Sequence, residues 1–136
     1  MRTFRLLLCG LGNVGRSFLE LLPSQAGLLA SRYGVELRVI GAVDSGGCAF
    51  DPARLDVSSL PAAKRAGASV VTLAGVGRPG TFGPELARQV EADILLEATP
   101  VNLTDGQPGL DTVRVALRRG MHAVLANKGP LALAYT

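Results

Sequence analysis

The apolar positions of this chain change period several times, and each change marks an element. Leu6-Leu7-Leu8-Cys9 follows Arg5 and stops at a glycine, which is the pattern of a short buried strand over 5–9. From Val14 the period becomes helical, with Val14, Phe18, Leu21 and Leu22 at i, i+4, i+7 and i+8 on one face. Pro23 is expected to end or kink this helix, and a second helical stretch then reaches Tyr33, with Gly34 as terminator. Residues 35–43 are rich in β-branched side chains and close on Asp44, a second strand.

Gly46-Gly47 marks a turn, and 55–65 carries a weak helical pattern with Pro61 inside it. Residues 69–73 are expected to form a third strand, and the glycine-rich stretch 75–83 a loop. Pro84 suits the first turn of a helix running to Glu91. Ile94-Leu95-Leu96 lies in a buried strand over 93–98, followed by a long polar connection over 99–109. Asp111 is expected to cap a helix whose Leu110, Val113 and Leu117 share a face, and Gly120 to stop it before a last strand over 122–126. Strands alternating with helices at these spacings specify right-handed βαβ crossovers. The predicted fold is α/β, a doubly wound, mostly parallel sheet forming one domain over residues 1–136.

Composition agrees with that sheet. Apolar residues make up 48% of the chain and aromatics only 4%, so the core must be aliphatic, and a disordered chain is excluded. The net charge of +3 is spread thinly: the adjacent basic pairs are Lys64-Arg65 and Arg118-Arg119, with no aromatics between them to stack bases. That argues against a nucleic-acid partner. Cys9 and Cys48 make neither a metal-ligand spacing nor a disulfide framework, so no metal site is expected. Met1 to Cys9 looks superficially like a secretion signal, but the apolar stretch is too short and runs into glycines. No run approaches the ~18 apolar residues needed to span a bilayer, and the chain is expected to be cytoplasmic with no membrane contact.

Chemistry enters at Gly10-Leu11-Gly12-Asn13-Val14-Gly15, a G-x-G-x-x-G sequence placed between a buried strand and a helix. In that context Gly10 makes the tight turn, Gly12 leaves room for a pyrophosphate, and Gly15 lets helix and strand pack closely. The unpaired N–H groups and positive dipole end of the helix start favour an anion. This is the phosphate-cradling loop of a Rossmann-type dinucleotide-binding fold. Asp44 ends the second strand, where a carboxylate can accept hydrogen bonds from an adenosine ribose and repel a 2′-phosphate. The cofactor is thus NAD or NADP, leaning toward NAD, although Arg54, Lys64 or Arg65 could fold back onto a phosphate. The alternative for Asp44, a turn-forming Asp bonded to its own backbone, stays open. No Walker loop is present, and His122, the single histidine, opens a strand and is expected to be structural.

Ligands of doubly wound sheets lie beyond the carboxyl ends of the strands, where Glu97-Ala98-Thr99-Pro100 and Ala126-Asn127-Lys128-Gly129-Pro130 also end. A lysine there can orient a substrate hydroxyl or stabilise alkoxide charge during hydride transfer. Taken alone, Lys128 is equally a solvated surface lysine. These segments, with Val43-Asp44-Ser45 and the run from Ala116 to Ala132, resemble homoserine dehydrogenase in the order of motifs along the whole chain. The Asn-Lys segment is the most specific part.

The resemblance implies a parent enzyme that interconverts aspartate 4-semialdehyde and homoserine with NAD(P), acting as a homodimer. It implies that Gly10 to Gly15 hold the pyrophosphate and that Asp44 and Ser45 hold the adenosine ribose. Thr99, Pro100 and Asn127 would approach the nicotinamide and its ribose, and Lys128 the reacting hydroxyl. Homoserine dehydrogenases continue into a second domain that carries most substrate contacts, so the 136-residue chain is expected to bind dinucleotide without turnover. A related amino-acid or semialdehyde dehydrogenase, and a non-catalytic dinucleotide sensor with no need of Lys128, are the competing expectations.

Overall fold

The computed structural model describes residues 1–100 and 102–134. Strand β1 (Arg2–Cys9) leads through the glycine loop into helix α1 (Asn13–Leu28), and strand β2 (Val35–Asp44) returns beside β1. A hairpin of β3 (Gly47–Phe50) and the short β4 (Gly77–Pro79) brackets α2 (Ser59–Arg65). Helix α3 (Gly83–Gln89), strand β5 (Ile94–Glu97), helix α4 (Gly109–Arg118), strand β6 (His122–Leu125) and helix α5 (Gly129–Ala134) complete the order. The six strands lie in the sequence β4-β3-β2-β1-β5-β6. Pairings from β2 through β6 are parallel, whereas β3 and β4 add an antiparallel edge.

Alternation along β1 divides the core into two layers. Leu8 faces Leu11, Leu19, Leu22, Leu55 and Leu60 under α1 and α2. Leu7 and Cys9 face Leu86, Val90, Val113 and Ala116 under α3 and α4. Both faces of the central strands are covered, which is why these strands are runs of aliphatic residues with no polar alternation.

Several expectations are corrected. Pro23 does not break α1: the helix runs through it and ends in a π-helical turn over Leu29–Tyr33, with Gly34 at φ +65°. Leu19 and Leu22 anchor the turns on the core side while Pro23 is exposed, so packing outweighs the missing N–H. Val14 and Leu21 are exposed, and the buried stripe of α1 is Gly15, Leu19 and Leu22. Residues 69–73 form no strand, because the place beside β2 is taken by β3. Val70–Thr72 is a 3₁₀ turn, and the Val70 N–H donates to the Asp44 side chain instead of a neighbouring strand. Asp111 does not cap α4, whose N-cap is Pro108, and Leu117 is exposed while Leu110, Val113, Val115 and Ala116 are buried. Among the described residues no helix is long and apolar enough to cross a membrane.

The strand order reverses at β1, since β2 lies on one side of it and β5 on the other. The carboxyl ends of β1 and β5 therefore open a crevice at this switch point. Two backbone bonds fix its walls: the Gly10 N–H donates to the Val43 carbonyl at 2.9 Å, and the Ala98 N–H to the Cys9 carbonyl at 2.7 Å. A Cβ at Gly15 would stand 2.0 Å from the Gly10 carbonyl oxygen, so Gly15→Ala must push α1 away from the loop. Chemical denaturation should show a loss of about 1–3 kcal/mol for Gly15→Ala, the usual cost of overpacking; unchanged stability would mean that the helix does not need this contact.

Candidate functional site

The crevice is a cleft of about 630 Å³. Gly10, Leu11, Gly12, Asn13 and Val14 form one wall, Asp44, Ser45 and Lys64 one end, and Ala98, Thr99 and Pro100 the other. The glycines of the loop do different jobs. Gly10, at φ +100°, lies against the Ala98–Thr99 peptide so closely that a Cβ would come within 2.4 Å of the Ala98 carbonyl. Gly12 has no atom within 4 Å of where its Cβ would be, so it faces open space. No side chain caps α1 and no acid occupies its first turn, which leaves the positive end of the helix facing the cleft. Arg16, which sequence reasoning passed over, adds a cation there, donating to the Gly12 carbonyl at 3.3 Å and to Asn13 Oδ1 at 2.9 Å.

Asp44 is engaged from every side. Its Oδ1 accepts from the Gly46 N–H at 2.9 Å and the Ser69 hydroxyl at 2.7 Å. Its Oδ2 accepts from Lys64 Nζ at 3.1 Å and the Val70 N–H at 2.9 Å. A carboxylate offers about four acceptor positions, and four donors fill them here. Burial raises the Asp44 carboxyl, but the donors from Val70, Ser69, Gly46 and Lys64 outweigh it and hold the group below its ordinary value. Its side chain is only 4% exposed. Asp44 is therefore the turn-forming residue of the alternative expectation and also the anchor for Lys64, which reaches the cleft from α2.

At the opposite end Glu97, the last residue of β5, is 1% exposed. Its Oε1 accepts from the Thr99 N–H at 3.0 Å and from the Thr99 hydroxyl. Its Oε2 is buried and has no partner among the described residues. Burial pushes this carboxyl above its ordinary value, against the bonds from Thr99 and the Asn127 side chain that lower it. Asn127 is 2% exposed and is absent from the cleft wall. Its Nδ2 donates to Thr99 Oγ1 at 3.0 Å and to the Pro100 carbonyl at 3.4 Å, and its Oδ1 accepts from the Gly129 N–H at 2.9 Å. It braces the site and does not line it. Lys128, next to it, is exposed and outside the cleft wall, and its carbonyl receives the Ala132 N–H of α5. His122 is exposed at the start of β6, outside the cleft wall. Phe82, Pro108 and Thr112 also line the cleft and carried no sequence signal, because they come from loop and helix ends that only the fold brings together.

A carboxyl raised by burial favours the folded state in its protonated form. Its contribution is complete below about pH 4.5 and is lost as pH rises through the raised value. Glu97→Gln removes that loss. In urea unfolding the wild type should therefore lose stability relative to Glu97→Gln as pH rises above about 4.5, whereas a constant difference would mean that Glu97 ionises as an ordinary surface acid does.

No family model matches the chain. It is 32% identical over 134 residues to an NAD(+)-dependent homoserine dehydrogenase of Pseudomonas canavaninivorans, covering 98% of this chain and 38% of that protein. A homoserine dehydrogenase of Methanocaldococcus jannaschii is 30% identical over 130 residues, 96% of this chain and 38% of that one. A hyperthermophilic archaeal homoserine dehydrogenase solved in complex with NADPH superimposes with a TM-score of 0.79 at 26% identity, over 98% of this chain and 39% of that one. The chain spans well under half the length of the relatives it matches. In sequence and in its Rossmann-type fold the chain is thus similar to one part of these homoserine dehydrogenases.

Proposed function

We propose that this chain is the NAD(P)-binding domain of a cytoplasmic, homodimeric oxidoreductase of homoserine dehydrogenase type. The whole enzyme would interconvert aspartate 4-semialdehyde and homoserine. The observation that carries this reading is the division of labour in the glycine loop. Gly10 and Gly15 are locked against backbone, and Gly12 alone faces open space beside an uncapped helix start. That space suits a pyrophosphate, held by first-turn N–H groups. The cofactor supplies the hydride acceptor or donor. The NAD(+) dependence of the Pseudomonas relative and the NADPH complex of the archaeal one support the same cofactor class.

Within this reading Gly10, Leu11, Gly12, Asn13, Val14 and Gly15 hold the pyrophosphate, and Ser45 with the Asp44–Lys64 pair meets the adenosine ribose. Thr99 and Pro100 meet the nicotinamide, braced by Asn127. Lys128, on the turn that Asn127 anchors, acts on the reacting hydroxyl. The lean toward NAD loses its basis, because Lys64 offsets the charge of Asp44 and no net negative charge guards the ribose end. The exposed position of Lys128 outside the cleft wall favours a second reading, a dinucleotide sensor without turnover.

Calorimetric titration separates these claims. The wild type should bind both NAD and NADP, and Gly12→Ala should weaken both at least tenfold while leaving the fold intact, because its Cβ meets no protein atom. No heat with either dinucleotide, or unchanged affinity in Gly12→Ala, would contradict the proposal. Lys64→Ala should lower NADP affinity about tenfold more than NAD affinity, the worth of one hydrogen bond to a charged group; equal losses would remove Lys64 from the ribose end. Homoserine oxidation lost in Lys128→Ala of an active full-length enzyme, with cofactor affinity kept, would select the enzyme over the sensor.

A further inference from the structure

Hydroxyl protons are free to rotate, but two backbone N–H groups fix the polarity of the Thr99 hydroxyl. A backbone N–H can only donate. Glu97 Oε1 receives the Thr99 N–H at 3.0 Å, so it is an acceptor oxygen, and the proton in its contact with the Thr99 hydroxyl comes from threonine. Asn127 Oδ1 receives the Gly129 N–H at 2.9 Å, which sets the orientation of that amide. Its other atom, Nδ2, is then the donor to Thr99 Oγ1 at 3.0 Å. Thr99 Oγ1 has thus given its proton to Glu97 and one lone pair to Asn127. The remaining lone pair is what this hydroxyl offers to a ligand, and Thr99 lines the cleft.

The burial of this network makes the polarity persistent. Glu97 and Asn127 are 1% and 2% exposed, so no solvent competes for either contact. Gly109, the first residue of α4, closes over both side chains, its α-carbon side facing Asn127 Nδ2 and Glu97 Oε1. Reversing the Thr99 hydroxyl would leave Glu97 Oε1 with one donor fewer beside Oε2, which has none among the described residues.

We propose that Glu97 and Asn127 are positioning residues that make Thr99 an acceptor-only hydroxyl, so that this end of the cleft selects a ligand group bearing an N–H donor, the primary amide of a nicotinamide. This rests on the reading that the cleft takes a dinucleotide. A ring whose substituent can only accept leaves the Thr99 lone pair unpaired and gains nothing from the hydroxyl proton.

The test uses three ligands on the chain: ADP-ribose, NAD, and 3-acetylpyridine adenine dinucleotide, in which a methyl ketone replaces the amide. The wild type should bind NAD about tenfold more tightly than the acetylpyridine analogue, the worth of one hydrogen bond whose loss leaves an acceptor unpaired. Thr99→Val should bring the two dinucleotides to equal affinity without changing ADP-ribose. Glu97→Gln keeps an acceptor for Thr99 and should keep the preference, while Glu97→Leu frees the hydroxyl to donate and should erase it. A merely structural role would instead lower ADP-ribose and both dinucleotides together. Equal affinity of the wild type for NAD and its analogue, or a preference that survives Thr99→Val, overturns the inference while leaving dinucleotide binding intact. Failure of the wild type to bind ADP-ribose or NAD overturns the underlying reading as well.

Discussion

The site depends on one constraint, the close approach of the glycine loop to the ends of two strands. Gly15 sits on the Gly10 carbonyl and Gly10 on the Ala98–Thr99 peptide, at distances that no Cβ would allow. This stack brings α1 up to the sheet at the point where strand order reverses, and it leaves Gly12 as the uncovered position. A cleft with an uncapped helix start on one side and the Glu97–Thr99–Asn127 network on the other follows from that packing. The two ends differ in kind. One holds an ion pair, Asp44 with Lys64, and the other a network in which buried Glu97 and Asn127 bond to Thr99 at the cleft wall.

Much of this was legible in the sequence. The glycine spacing, the aliphatic runs of β1 and β5 and the acid closing β2 each report a local requirement that a single stretch of chain must satisfy by itself. The β3–β4 hairpin was not legible, because Cys48 and Ala49 are small and Gly77–Pro79 looks like loop, and both owe their pairing to neighbours far along the chain. Residues 69–73 carried the β-branched signal of a strand, yet a hydrogen bond from Val70 to Asp44 and the occupied edge of β2 decided otherwise.

The same division runs through the site. Asp44 stands at the end of β2, where its place in the sequence puts it, but its bonds come from Ser69, Val70 and Lys64, which sequence spacing does not bring to it. Asn127 was singled out for a nicotinamide, and its burial turns it into a brace for Thr99. Glu97 carried a visible signal that had been given no role: an acid ending the apolar run Ile94-Leu95-Leu96, where an ionisable group has few places to go except inward.

The central claim is that a dinucleotide lies along the loop with its nicotinamide end at Thr99. Amide chemical-shift mapping of the labelled chain during titration with NAD tests it most directly. A dinucleotide bound in this way should shift Gly10, Gly12, Asn13, Val14 and Thr99 and leave quiet the amides along the separate groove lined by Leu22, Ala26, Leu37 and Arg54. Shifts confined to that second groove, or a spectrum that NAD leaves unchanged, would contradict it.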